Sequence, residues 1–439
     1  MVLYTQDYEE AVTRMGFFKD WGSFMVEGSR SFARWEVENA RIILGDKKRI
    51  WLLCLMLIPA LLGGWAYADE IGQALPTVIG GKEAYSPSFY SLYIFFVSIF
   101  VGVGAGLISG CIGAGGGFII APALMSAGVK GILAVGTDLF HIFAKAIMGS
   151  VLHRKMGNVS VPLAFVFLIG AIIGTTVGAG INRALYNVNP VLSDAFITTV
   201  YTVMLGFLGF YGMYDYFSAK KAGHSGGAHD TSEGAGMTGI AKKLQSVNLP
   251  PMVSFDQGLI PGGRKISWIF LVLSGILVGM AAGIMGVGGG FLTFPIFVYI
   301  LGVSSLTTVG TDIFQIVFTA GYGAITQYAI YGFIFYTLAM GMLLGSLIGI
   351  QVGALVTKVV PGITIRGFFA LSVMAGFVNR FFALPKKMVA MGYLPESLAG
   401  FTKVMDTVGM YLFFIVIALF GIWVFGAFFK NIKTLKYED

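Results

Sequence analysis

The chain has 439 residues, 56% of them hydrophobic and only 12% charged, with a mean hydropathy of +0.81. A soluble domain carries about 25% charged residues, so a soluble enzyme or binding module is excluded and an integral membrane protein is expected. The net charge of +7 lies between the apolar runs, where Lys and Arg mark topology rather than nucleic-acid binding.

The apolar runs are about 20 residues long, not ten-residue alternating strands, so the expected class is an all-α integral membrane protein. Residues 1–49 are charge-balanced, with Phe17, Phe18, Trp21, Phe24, Met25, Phe32 and Trp35 at partly helical spacing. They read as an amphipathic cytoplasmic segment lying on the membrane, the protein's own body or a partner. Lys47-Lys48-Arg49 then precedes an apolar run over 50–67 that ends in Ala66-Tyr67-Ala68. This imitates a signal peptide, but the acidic-containing leader in front favours a retained extra first helix. Residues 50–88 are assigned to that helix and an external loop.

Apolar runs follow at 89–110, 118–127, 133–152, 162–184 and 196–217, within a first repeat over 89–217. Residues 218–265 read as a cytoplasmic hydrophilic linker. Its His224 and His229 have no further ligand residues around them, so no metal is expected. A second repeat over 266–380 holds runs at 266–285, 291–301, 306–328, 333–356 and 365–378. Residues 381–439 complete the chain with an external loop, a terminal helix over 408–429 and a cytoplasmic tail. Cys54 and Cys111 both sit in apolar runs and imply no disulfide. No nucleophile–base pair, phosphate loop or metal set is present in the sequence, so neither an enzyme nor a cofactor is expected.

One stretch is written twice. Gly113-Ala114-Gly115-Gly116-Gly117-Phe118, then Pro122 and Val135-Gly136-Thr137-Asp138, recurs as Gly286-Val287-Gly288-Gly289-Gly290-Phe291, then Pro295 and Val309-Gly310-Thr311-Asp312. The glycines recur 173 residues on (286 against 113) and the Thr-Asp pair 174 (311 against 137), one residue being inserted in the second copy. Each copy places a glycine-rich break in an apolar segment, and paired breaks in corresponding halves point to a transporter's binding site. The bare amides and positive dipole end of a helix restarting at Phe118 or Phe291 would cradle an anion. The other reading is that the glycines only permit tight helix crossing.

Asp138, His141 and Lys145 follow on one helical face, as do Asp312, Gln315 and Thr319 in the second copy. Intramembrane ionisable groups are functional candidates. Asp138 and Asp312 serve equally as helix-start caps. His141 reads as a core histidine or an oxyanion donor, Gln315 as its matched donor, and Lys145 as a substrate contact without a second-half equivalent. The basic residues, Lys47 to Arg49, Arg154, Lys155, Lys220, Lys221, Lys242, Lys243, Arg264, Lys265 and Lys430, all face the cytoplasm only if the short broken pieces cross the membrane. The two halves then have inverted topology, both termini are cytoplasmic, and Arg380, Lys386 and Lys387 fall outside.

The paired Gly-x-Gly-Gly-Gly-Phe-x-x-x-Pro segments, Ala134-Val135-Gly136-Thr137 and His153-Arg154-Lys155-Met156-Gly157-Asn158-Val159 resemble the TauE/SafE sulfite exporter family of bacterial and archaeal permeases. The resemblance spans about 90–217 and 268–380. It implies movement of sulfite, sulfoacetate or other organosulfonates across the cytoplasmic membrane. It also implies roles for Gly113, Gly115, Gly116, Gly117, Pro122, Thr137, His153, Gly157, Gly286, Gly288, Gly289, Gly290, Pro295 and Thr311. Asp138 and Asp312 stand where a serine is frequent in the family, and the second half has no basic turn. The expected function is a secondary transporter of a small sulfur-containing anion, an exporter by resemblance. A proton- or Na⁺-coupled importer of sulfate or a related anion, or a membrane anchor of a sulfur-metabolising complex, are the alternatives. A homodimer is left open.

Overall fold

In the computed structural model, residues 76–80, 92–112, 116–155, 159–221, 239–256, 263–356, 359–360 and 362–431 are described. The 1–49 segment, the run at 50–67, Cys54, Gly113, Gly115, Gly157, His224 and His229 lie outside these residues, as do the side chains of 151–155, including His153 and Arg154.

Five helices form a first group: α1 (Leu92–Ile112), α2 (Gly117–Ser126), α3 (Gly131–Lys155), α4 (Val161–Val188) and α5 (Pro190–Lys221). A short helix, α6 (Gly239–Gln245), leads into an antiparallel hairpin of β1 (Met252–Phe255) and β2 (Arg264–Ser267). A second group of five follows. It comprises α7 (Trp268–Met285), α8 (Gly290–Pro295, continued by a π-helical stretch Ile296–Leu301) and α9 (Ser305–Tyr322, continued by π-helical Gly323–Tyr328). It closes with α10 (Tyr336–Val356) and α11 (Gly362–Ala390), and α12 (Ala399–Lys430) ends the chain. Seven helices among the described residues are long and apolar enough to cross a membrane; α2 and the α8 segment are shorter apolar helices. α3 and α9 are not among the seven, because their polar faces dilute the apolar run.

Three differences from the sequence expectation have physical causes. Residues 218–265 were expected as plain linker, yet α5 continues to Lys221 and the described part from 239 is docked. Val253, Phe255 and Ile266 of the hairpin bury against Phe167 and Phe297. Asp256 accepts from the Ser304 amide (3.0 Å) and hydroxyl (2.7 Å), tying the hairpin to the start of α9. Second, α11 runs to Ala390, well past the expected 378. Arg380, Lys386 and Lys387 interrupt the hydropathy there, but their side chains are buried or paired within the fold. Third, α12 starts at Ala399 rather than 408, so only residues 391–398 connect it to α11.

The helices obey a membrane logic in which size, not polarity, separates inside from outside. On α4, Phe165, Ile169, Ile173 and Val177 are exposed at four-residue spacing. The opposite face carries Gly170, Gly174 and Gly178, where a Cβ would strike the main chain of Val272, Ile276 and Met280 on α7. From α7, Gly275, Gly279 and Gly283 return the approach against Phe167, Ala171 and Thr175. The α1–α10 pair repeats this device with Gly102 and Gly106 against Met342 and Ser346, and Gly345, Gly349 and Gly353 against Ile99, Val103 and Leu107. In both pairs the residue numbers rise together, so the helices are parallel. The α3–α9 pair is antiparallel, with Gly323 beside Leu139 and Tyr328 beside Gly136. So is the α5–α11 pair, with Gly206 beside Phe377 and Gly367 beside Tyr216.

This pairing maps onto itself when the two groups of five helices are exchanged. The first helix of each packs on the fourth of the other, and the third and fifth pack on their own counterparts. A reciprocal hydrogen bond seals it. Thr137 Oγ1 accepts the amide of Phe335 at the head of α10 (2.9 Å), and Thr311 Oγ1 accepts the amide of Ser160 at the head of α4 (3.0 Å).

Enlarging a stripe glycine therefore forces main chains apart. Gly279→Leu or Gly345→Leu should destabilise the detergent-solubilised protein by about 1–3 kcal/mol or prevent folding, whereas the lipid-facing Ile173→Leu should be neutral. Thermal melting would show this; unchanged melting of both glycine variants would refute the contact map.

Candidate functional site

The site is built where the two glycine tracts meet. α7 ends at Met285, and Gly286, Gly288 and Gly289 take φ of 80°, 66° and 90° before α8 restarts at Gly290. Those left-handed values suit glycine, and they end one helix and aim the next within four residues. In the first copy α1 ends at Ile112, Gly116 precedes the restart, and α2 begins at Gly117. Neither restarting helix has a side-chain cap, since its N-cap is glycine, and the first amides of a helix have no partner in a preceding turn.

The tracts touch. A Cβ on Gly117 would come within 3.2 Å of Val287 Cα and 2.8 Å of Ile142, and one on Gly288 within 2.9 Å of Ile142. Ile142 and Ile316, matched by the repeat, wedge into this junction from α3 and α9. The glycines also serve close packing: Gly116 fits against Ala105, Gly286 against Val135 and Gly289 against Val278. The reading of the glycines as permitting tight helix crossing is thus met in these contacts. Phe118 and Phe291 are buried, and Phe118 packs edge-on against Phe369 of α11. Both phenylalanines line the packed core beside the junction.

The polar faces of α3 and α9 flank the junction and are organised differently. On α9, Gln315 donates to Asp312 Oδ1 (2.9 Å) and Thr319 donates to the Gln315 carbonyl oxygen (2.7 Å), a closed chain along one face. The other Asp312 oxygen lies beside Gly290, where a Cβ would come within 3.0 Å of it. Gly290 thus admits the carboxyl to the restarting helix, and Asp312 stands near its positive end.

On α3 the chain is open. His141 Nε2 meets Ser346 Oγ at 2.9 Å, and Ser346 donates onward to the Gly102 carbonyl (3.2 Å). Nε2 therefore carries the hydrogen, and Nδ1 turns its lone pair toward Asp138 Oδ1, 3.7 Å away. Nδ1 and both Asp138 oxygens are buried without a hydrogen bond among the described residues, although the Ala121 amide of α2 lies close to the carboxyl. Lys145 is within electrostatic reach of both groups and donates to Ser109 of α1 (2.9 Å). Thr319 stands at its matched position, so the cation belongs to one half alone.

The structure thus brings together Gly116, Gly117, Gly286, Gly288, Gly289, Gly290, Asp138, His141, Lys145, Asp312 and Gln315 around one junction. Thr137 and Thr311 lie in the same helices, but their hydroxyls hold the heads of α10 and α4, a packing role. Sequence reasoning did not single out Ser346, Ser109 or Tyr201. Ser346 and Ser109 are small residues in glycine-rich helices and looked like packing. Tyr201, fully buried, donates to the Met285 carbonyl at the very end of α7 (2.5 Å), a long-range contact with no local signal.

No group of three or more His, Cys, Asp or Glu able to hold a metal occurs among the described residues. The junction gathers main-chain amides, an imidazole, an ammonium and a side-chain amide, and Asp138 and His141 face one another at 3.7 Å.

Comparison with known proteins gives this arrangement a context. The family model of the sulfite exporter TauE/SafE matches residues 98–380. A probable membrane transporter protein of Bacillus subtilis, YunE, is 24% identical over 272 residues, 60% of this chain and 89% of its own length. A second from the same organism, YjnA, is 24% identical over 264 residues, 58% and 87% of the two chains. A stretch of 74 residues, 17% of each chain, is 35% identical to sulfite exporter TauE/SafE family protein 6 of Arabidopsis thaliana. No solved structure matches. With the match spanning both glycine tracts and every helix from α1 to α11, the chain is a multi-pass membrane protein that belongs to the TauE/SafE sulfite exporter family of membrane transporters.

Proposed function

We propose that this chain is a secondary transporter that exports a small sulfur-containing anion, such as sulfite or an organosulfonate, by alternating access at the junction of its two glycine tracts. The observation that carries the reading is the meeting of Gly117 with Val287 between the polar faces of α3 and α9. Two helix starts, a lysine and two hydrogen-bonding side chains converge on one place where lipid cannot reach, and irregular backbone at membrane depth is tolerated only in such surroundings. The self-mapping helix pairs and the reciprocal Thr137 and Thr311 bonds support an inverted repeat, with the domain limits 89–217 and 266–380. In the proposed topology both termini and the 218–265 linker are cytoplasmic, and the membrane is the cytoplasmic one.

An inside-negative potential drives an anion outward by about 2.3 kcal/mol per charge per 100 mV, so export needs no coupling ion. A second reading is favoured by one observation, the buried Asp138–His141 pair with three unpartnered atoms. A proton there would couple import of sulfate or a related anion. The closed Asp312–Gln315–Thr319 chain offers no such vacancy, which supports proton handling in the first half under this reading.

Full-length protein in liposomes should move sulfite, sulfate, thiosulfate or taurine in a panel flux assay, and failure with every anion would remove the transporter reading. Lys145→Met should weaken the half-saturating concentration by about tenfold or more, the worth of one charge-assisted hydrogen bond. Under an imposed pH gradient, coupled flux should be lost in Asp138→Asn and kept in Asp312→Asn. Equal loss in both would refute the assignment to the first half, and indifference to the gradient in wild type would leave export by potential alone.

A further inference from the structure

One buried charge stands outside the glycine junction. Arg380 is 2% exposed and lies on α11 about 5 Å along the axis past the middle of the span Ile363–Ala390. A guanidinium at that depth is costly unless a charge answers it, because desolvation removes several kcal/mol that only a close anion restores. Its hydrogen bonds go to neutral oxygens. Nε donates to Asn379 Oδ1 (2.7 Å) and Nη2 to Ser126 Oγ (2.5 Å), Ser126 being the last residue of the short helix α2. Asn379 Nδ2 also donates to Ser126 Oγ (3.0 Å), which fixes both oxygens toward the guanidinium. No described carboxylate lies within 4.0 Å of it, although Asp406 and Asp194 act on it at longer range.

The acids near Arg380 are committed elsewhere. Asp194 of α5 accepts the Gly131 amide at the head of α3 (2.7 Å) and faces Lys387 at 3.5 Å. Asp406 of α12 accepts from Lys386 at 2.7 Å. The cluster therefore holds three cations against two carboxylates, one positive charge in excess, and the excess sits on the deepest member. Tyr201 of α5 lies within electrostatic reach of both Arg380 and Asp138 and bonds the end of α7 beside the second glycine tract. Tyr201 and α2, whose first residue lies in the glycine junction and whose last residue bonds Arg380, connect the guanidinium to that junction.

We propose that Arg380, with Ser126 and Asn379, is a binding station for the transported oxyanion, holding it by a fork of guanidinium hydrogens one step from the glycine junction. The proposal rests on the anion-transport reading. An oxyanion with two or three oxygens on one centre, a sulfite, sulfate or sulfonate group, matches the planar fork of donors. A halide would engage it with one contact. Lys145 and Arg380 are then the two cations of one path, one beside each flank of the junction.

The test is thermal melting and equilibrium binding on the full-length protein in detergent, titrated with sulfite, sulfate, taurine and chloride, with liposome flux in parallel. Wild type should be stabilised by the oxyanions and not by equimolar chloride. Arg380→Gln should melt no lower than wild type without anion, since an unanswered charge has been removed, and should bind sulfite at least tenfold more weakly. A purely structural clamp predicts the reverse, lower melting with affinity unchanged, and that result would overturn the station. If Arg380→Gln does not fold, Ser126→Ala and Asn379→Ala carry the measurement. Each should weaken sulfite about threefold or more, and wild-type affinity in both would also overturn it. Wild type that neither binds nor moves any anion would sink the transport reading itself. Wild-type flux with an indifferent Arg380→Gln would sink only the station.

Discussion

The fold depends on main chains in direct contact. Along α4–α7 and α1–α10, glycines repeat every fourth residue and let one helix backbone lie on another. In lipid there is no hydrophobic penalty to drive helices together, so close van der Waals approach has to supply the association. These are the two most extensive helix contacts in the molecule. Everything polar is arranged inside the frame they create. α3 and α9, too polar to be counted as spans by composition, are held between them and never have to face lipid along their Asp138 and Asp312 sides.

That enclosure explains why the two matched faces diverged without loss of the fold. On α9 the acid, amide and hydroxyl satisfy one another at 2.9 Å and 2.7 Å, and the face is complete. On α3 a histidine replaces the amide and a lysine the hydroxyl. The histidine reaches across to Ser346 of α10, and among the described residues the carboxyl has Lys145 and the Ala121 amide near it but no side-chain hydrogen bond. Buried polar groups are ordinarily paired, and exceptions gather at working sites. The asymmetry between the two halves therefore leaves the unpartnered buried atoms on the α3 face, which is why the proposed proton site is placed there.

Much of this was legible in the sequence, and what was missed has a common cause. Apolar runs and the twice-written glycine tract located all eleven helices from α1 to α12 other than the short α6, because both signals are local. Helix limits failed where charge interrupts hydropathy. Residues 365–378 read as a complete segment because Arg380, Lys386 and Lys387 follow, yet α11 continues through all three, since one is buried and two are paired with acids on other helices. The same long-range pairing hid the burial of Arg380, which the sequence reading put past the end of the last apolar run on the outer side. The packing bonds of Thr137 and Thr311 were not legible, because their backbone partners lie 198 and 151 residues away. Partners at such separations are not encoded in any spacing.

The pairing also constrains how the proposed transport can move. A simple rocking model treats each repeat as one body. Here the first helix of each repeat is welded by its glycine stripe to the fourth helix of the other, so the repeats cannot separate as bodies without tearing main-chain contacts. The units that can move intact are mixed: α1 with α10, and α4 with α7. The seam between those units holds α3 and α9, the isoleucines at 142 and 316, and both glycine tracts. Under the proposed alternating access, motion along that seam would change access to the junction while leaving every stripe closed.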